Sequence, residues 1–154
     1  MKRIVTILLL GLIVFAGCSN SDAVFIKISE SGISADASEV VVTNFHTGSR
    51  AEMIYRIHNA TGKAIQPEIY WVDADVANYS KADGARKADV RSWLTLPRNM
   101  DIPAGSIREF TVALEMPKDA KKPANKIGFQ IGVCNKNNDK VQTAIGTWWL
   151  ISMR

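Results

Sequence analysis

The sequence predicts an all-β protein, a sandwich of two packed antiparallel sheets built from about seven to eight short strands. Three observations carry that prediction. Apolar residues recur at every second position in run after run, the mark of a strand with one buried face. Gly, Pro, Asn and Asp cluster between the runs, where turns need them. No segment of the body sustains the 3.6-residue apolar period of an amphipathic helix.

Residues 1–17 stand apart from this pattern. Lys2 and Arg3 give a short positive start, and Ile4 to Phe15 is a nearly unbroken apolar run, shorter than the roughly 20 residues that cross a bilayer as a helix. That is the composition of a signal peptide that is removed. The four residues Phe15-Ala16-Gly17-Cys18 resemble the lipobox of bacterial lipoproteins, with Phe15 where Leu is commoner. The resemblance implies that the thiol of Cys18 takes a diacylglyceryl group, a step suited to a thiolate nucleophile. The small Ala16 and Gly17 would let a peptidase reach the bond before Cys18. Two or three acyl chains, at about 0.8 kcal/mol per buried methylene, anchor stably where one is marginal.

The expected organisation is a signal peptide over 1–17, a lipidated cysteine and polar tether over 18–23, and a sandwich over 24–154. The mature domain would then lie outside the cytoplasmic membrane. By resemblance to the known sorting pattern, Ser19 rather than Asp after the cysteine implies the outer membrane of a two-membrane bacterium; otherwise the cell surface. The plainer alternative is an ordinary secretory peptide with Cys18 structural. The only other cysteine is Cys134, which acylation of Cys18 would leave without an intrachain disulfide partner. It reads as a half-buried small residue at a strand end rather than a reactive thiol.

In the body, Val24 to Ile28 alternates, Glu39 to Thr43 is β-branched, and Arg50 to His58 puts Ala51, Met53, Tyr55 and Ile57 on one face. Thr47-Gly48-Ser49 and Ala60-Thr61-Gly62-Lys63 are turns whose glycines suit positive φ, and Pro67 marks Ile65 to Val72 as an edge or strand start. Ser92 to Leu96 can form a short strand before Pro97, and Ile102-Pro103-Ala104-Gly105-Ser106 is a turn. Phe110, Val112, Leu114 and Met116 share a face, as do Ile127, Phe129, Ile131 and Val133. Asn135 to Lys140 then reads as a hairpin connection into a last strand, Val141 to Met153.

Two of these stretches carry a family resemblance. Val40-Val41-Val42-Thr43-Asn44-Phe45, then Gly48, then a strand ending Ile57-His58-Asn59, resembles the opening of bacterial immunoglobulin-like domains of the NPCBM-associated and related cell-surface type. Ile102-Pro103-Ala104-Gly105 and the strand closing Leu114-Glu115-Met116-Pro117 resemble their later turn and strand. The resemblance covers most of residues 33–154 and implies an immunoglobulin-like Greek-key sandwich; its motifs encode turns and packing, so it implies little about activity.

Charge narrows the partners. Of a formal net charge of +4, Lys2 and Arg3 supply two. No Lys/Arg-rich run occurs in the body, which argues against nucleic acid. Catalytic patterns are also wanting. His46 and His58 are the only histidines, and HExxH, GxSxG, CxxC and a phosphate-cradling Gly loop are all absent. No enzymatic role, cofactor or metal is expected. Asp73-Ala74-Asp75 begins like a calcium loop, but Ala77 stands at its fifth position. The irregular stretch Asp73 to Arg91 is instead a solvated loop or a crossover with a short helix. Asn59-Ala60-Thr61 and Asn78-Tyr79-Ser80 match a glycosylation pattern that a bacterial lipoprotein has little reason to use.

The aromatics remain. Trp71, Tyr79, Trp93 and Trp148 are the candidate ligand-binding residues, because adjacent strand residues face opposite ways and one of Trp148 and Trp149 must leave the core. The competing reading is that such rings fill or cap the core. Two functions follow. One is a non-catalytic binding, adhesion or assembly module that presents a sheet edge or aromatic face to another envelope protein. The other is a carbohydrate-binding module that takes a wall or extracellular polysaccharide through its exposed aromatics and the Asp73 to Arg91 loop, which requires at least two exposed, roughly coplanar rings.

Overall fold

The computed structural model of the chain describes residues 18–19, 23–137 and 140–154, and the side chains of 23–135 and 144–154. The expected signal peptide, the tether residues 20–22 and the Cys18 thiol lie outside the described part. Eleven strands follow one another: β1 (Cys18–Ser19), β2 (Ala23–Ser29), β3 (Gly32–Ala35), β4 (Glu39–Phe45), β5 (Arg50–Asn59), β6 (Pro67–Val72), β7 (Arg86–Lys87), β8 (Leu94–Thr95), β9 (Ile107–Glu115), β10 (Lys126–Asn137) and β11 (Lys140–Met153). Three are two-residue bridges, β1, β7 and β8. Eight are longer, and seven of them match strands the alternation predicts; β3 is not expected from sequence, and the strand expected over Ser92 to Leu96 is present only as the two-residue β8.

They form two facing sheets, ordered β1-β4-β11-β10-β6 with β7 also on β10, and β3-β2-β5-β9-β8. Both sheets are mixed, where purely antiparallel ones are expected from sequence. β2 runs parallel to β5, β4 parallel to β11, and β7 parallel to β10. The reason is topological. The chain passes from one sheet to the other between β3 and β4, and an alternating burial pattern reports which face is inside, not the direction of the neighbouring strand.

The inward rows are those expected. Val24, Ile26 and Ile28 meet Ala51, Met53, Tyr55 and Ile57 in one sheet, against Ile127, Phe129, Ile131, Val133, Trp149 and Ile151 in the other. Val112, Leu114 and Met116 are buried as well, while Phe110 is only partly so. Each large side chain fully buried here contributes about 1.5–3 kcal/mol relative to exposure. Polar bonds at the Tyr55 hydroxyl link the sheets inside this core: Trp149 Nε1 donates to it at 3.0 Å, and Thr147 bonds it as well. Burial pushes the Tyr55 phenol up to about 12, against the opposing pull of its bonds to Trp149 and Thr147.

Turn chemistry agrees at Gly48 and differs at Gly62. Gly48 has φ +77° and its N–H donates to Met116 O at 2.8 Å. Gly62 does not adopt positive φ. That turn is held by side chains: Asn59 Nδ2 donates to Lys63 O (2.8 Å) and Ile102 O (2.9 Å), and Thr61 Oγ1 donates to Asn59 Oδ1 (2.7 Å). Asn59 is wholly buried, so its amide is spent on structure and closed to glycosylation.

Cys134 also differs from expectation. It sits within β10, opposite Ala144 and Glu68, at 2% exposure rather than half-buried at a strand end.

The stretch after β6 is an ordered excursion over the outer face of the larger sheet. A single 3-10 turn, Val76–Asn78, is capped by Asp75 Oδ1, which accepts from Ala77 N at 3.0 Å. Asp75 is therefore a cap in the segment that resembles a calcium loop. Val76 and Ala82 are buried against Leu150, with Tyr79 and Trp148 packed alongside. Gly128 makes room for this: a Cβ there would lie 2.4 Å from Val76 Cγ2. The chain then returns to the edge of β10 as β7, and a second 3-10 turn, Arg91–Trp93, leads into β8.

Candidate functional site

One side of the sandwich is open, where β6 ends the larger sheet and β8 ends the smaller. Between them lies a cleft of about 640 Å³. Its floor and walls come from Ile69, Tyr70, Trp71, Leu94 and Leu96, and charge is supplied by Glu68, Arg91 and Arg98. Strand geometry explains the lining. Pro67 begins a strand that no neighbour completes on its outer side, where a missing N–H costs nothing. Pro97, two residues past the end of β8, adds to the lining.

A second depression of about 250 Å³ adjoins the first. It is lined by Asp73, Lys87, Ala88 and Asp89 and shares Trp71 and Arg91 with the larger cleft. Trp71 thus forms the ridge between them. Its ring stacks on Phe129 (centroids 5.2 Å, 23°), which stacks in turn on Trp149 (5.7 Å, 22°). This ladder fixes the Trp71 ring from behind, and offset stacks of this kind are worth about 0.5–1.5 kcal/mol beyond their burial.

The polar groups beside Trp71 are set by ion pairs. Arg91 Nε and Nη2 bond Asp89 at 2.9 and 2.5 Å, and Asp89 Oδ1 also accepts from Arg91 N at 3.1 Å. The Arg91 side chain, then its backbone N–H, hold the Asp89 carboxyl down at about 2. Lys87 Nζ lies 2.6 Å from Asp73 Oδ1. Both pairs are exposed and are worth little to stability. Their effect is orientation, since they fix four hydrogen-bonding side chains around one aromatic ring.

The four aromatics singled out from sequence do not form one platform. Trp71 lines the cleft. Trp93 packs partly buried against the main core and is not among the cleft's lining residues. Trp148 is the outward member of its pair, as alternation requires, but Tyr79 stacks on it at 5.0 Å and 14°. The Tyr79 hydroxyl donates to Glu39 Oε2 at 2.9 Å, and burial, then that carboxylate, raise its pKa. None of these four rings is exposed; among the described residues the one exposed large apolar side chain is Ile107. A flat surface of coplanar exposed rings is therefore absent from the described residues, because the excursion after β6 covers the outer face. Arg91 closes the Asp73 to Arg91 loop that sequence reasoning assigns to a carbohydrate site; Leu94 and Leu96 were missed as cleft residues. Pro67 and Pro97 were the available signals, since each lies at or near a strand end beside an open edge.

No family model and no curated protein matches the chain. Several solved structures resemble it; two serve as examples. One is a candidate carbohydrate-binding protein of Bacteroides ovatus, at 14% identity and TM-score 0.54, covering 76% of this chain and 35% of that one. The other is the ASH/PapD-like domain 7 of human CEP192, at 7% identity and TM-score 0.55, covering 77% and 82%. The chain spans about a third of the Bacteroides protein. At these identities the likeness is one of fold, an immunoglobulin-like β-sandwich, and neither neighbour is named as an enzyme.

Proposed function

We propose that the chain is a lipid-anchored, extracytoplasmic, non-catalytic binding module that seats an extended segment of another envelope protein along β6. The anchor reading rests on Phe15-Ala16-Gly17-Cys18 behind a short apolar run. The observation that carries the binding role is the open outer edge of β6 beside the cleft. An unpaired strand edge offers main-chain donors and acceptors, and a neighbouring apolar cleft takes alternate side chains of an added strand.

The test is a photo-crosslinking residue placed at Leu96 in living cells, with one at Ile107 as control. A discrete protein adduct from position 96 and none from 107 is expected; no adduct at 96 overturns the strand-addition reading. Intact mass of the membrane-extracted protein beside Cys18→Ser checks the anchor. A mature chain beginning at Cys18 with added acyl mass, lost in the variant, is expected.

A saccharide ligand is the second reading, favoured by one observation. The Trp71 ring stands between two depressions with Asp73, Lys87, Asp89 and Arg91 fixed around it, and the Bacteroides neighbour is named for carbohydrate binding. Retention on an insoluble polysaccharide, lost in Trp71→Ala and kept in Trp148→Ala, would favour it over the protein partner.

A further inference from the structure

The end of the sandwich toward which the N-terminal strand points is also its basic end. β1 runs antiparallel to β4 with Cys18 opposite Val42 and Ser19 opposite Val41, so the N-terminal end of β1 is the one on the Phe45 side. Four separate segments bring cations to that end. Gly48 N donates to Met116 O, and a Cβ at Gly48 would lie 3.4 Å from Lys118 Cγ, which sets the loop carrying Lys118, Lys121 and Lys122 beside the turn. Met153 N donates to Asn125 O and Arg154 N to Phe45 O, which adds Arg154. Arg86 and Lys126 line one depression with Asn125, and Lys126 Nζ donates to Asp83 O at 2.7 Å.

The balance at this end is positive. Lys118, Lys121, Lys122, Arg86 and Arg154 are exposed, and among the described residues none of them forms an ion pair. The acids nearby are Asp83, Asp119, Asp73, which is held by Lys87 at 2.6 Å, and Glu52 and Glu115, both of which are held by Arg50 at 2.7 and 2.9 Å. Surface charges act over about one Debye length, about 8 Å at physiological salt. Val42 to Phe45 is three residues, or about 10 Å of strand. The backbone of Cys18 therefore lies about one Debye length from that end of the strand.

We propose that this basic end docks on the anionic headgroups of the membrane that holds the acylated Cys18. The inference rests on the lipoprotein reading and adds an orientation to it. β10 begins at this end with Lys126 and places Pro67 and Glu68 opposite Asn135 and Cys134, near its far end. Docking by the cations turns the Pro67–Glu68 end of the cleft away from the bilayer, while β8, with Leu94 opposite Leu114, lies nearer to it.

The test uses the acylated full-length protein, its mass verified, in vesicles of phosphatidylcholine with or without phosphatidylglycerol, neither of which carries a primary amine. An amine-reactive label is read by peptide mass spectrometry at Lys118, Lys121 and Lys122 against Lys63, in the Asn59 turn. In the anionic vesicles the three lysines should label several-fold less than in the neutral ones, and about 0.5 M salt should abolish the difference. Lys121→Glu with Lys122→Glu should remove the protection of Lys118 while the protein stays on the vesicles. Acylated protein labelling equally in both vesicle types would overturn the docking alone. A mass without acyl groups would overturn the anchor and the docking with it.

Discussion

The chain contains two aromatic stacks of similar geometry and opposite consequence. Trp71, Phe129 and Trp149 run from the edge cleft into the centre of the sandwich, where Trp149 bonds Tyr55 in the facing sheet. Tyr79 and Trp148 lie on the outside of the same larger sheet and fasten the excursion between β6 and β7 to it. The first stack connects a candidate site to the core; the second closes a surface. Stacking distance alone does not distinguish a binding ring from a packing ring. What distinguishes them is whether the other face of the ring meets open space, as at Trp71, or a loop.

Substitutions that separate the two stacks have graded effects. The largest is Trp149→Ala, which removes a fully buried ring and orphans part of the ladder; a loss of about 3–5 kcal/mol in chemical denaturation is expected. Trp148→Ala should cost only about 1–2 kcal/mol, since its ring is half-buried and gains mainly from Tyr79. Equal losses at 148 and 149 would break the distinction between core and cover.

Gly128→Ala tests the cover directly. A methyl 2.4 Å from Val76 Cγ2 forces the excursion to shift, an overpacking cost of about 1–3 kcal/mol. Hydrogen exchange should quicken at Tyr79 and Ala82, whose N–H groups bond within the excursion, and stay unchanged in β5.

Tyr55→Phe tests the inner stack at its far end. It leaves Trp149 Nε1–H without the acceptor it uses, at about 1–3 kcal/mol for an unsatisfied buried donor. The pH dependence has a defined sign. A phenol that ionises near 10 when unfolded and at about 12 when folded adds stability that is complete below pH 10 and is lost as pH rises toward 12. Denaturation midpoints of the parent should fall across that window, and those of Tyr55→Phe should lack this component.

The smallest effect is at the cleft rim. With Asp89 held at about 2, its carboxylate remains ionised at every physiological pH, and its contribution is lost only as pH falls below 4 toward 2. Carbon-detected NMR titration should place its midpoint near 2 in the parent and nearer the ordinary carboxylate value in Arg91→Ala. An unchanged midpoint would remove Arg91 as the group that orders the rim.

Much of the architecture was legible because burial is written residue by residue. The alternation of Val24, Ile26 and Ile28, or of Ala51, Met53, Tyr55 and Ile57, names the inward face without knowledge of the partner strand. Pro67 marked an edge strand for the same local reason. The candidate site was legible only in part. Trp71 was singled out as an aromatic, but its neighbours Arg91, Leu94 and Leu96 arrive from a segment about 20 residues later, and no periodicity links them. Trp93 and Trp148 had the same composition signal and landed elsewhere, because a loop of unspecified path decides which rings are covered.

By itself the sequence determined most of the strands, their buried faces and the absence of any basic run in the body, and it raised the expectation of an anchor at Cys18. Tertiary structure alone decided that β2 and β4 pair in parallel, that the cleft forms between two sheet edges, and that Lys118, Lys121, Lys122, Arg86 and Arg154 meet at one end. The physical reason is range. Burial is a property of each side chain and its near neighbours along a strand, whereas sheet direction, clefts and charge clusters arise from register between segments that local propensity does not specify.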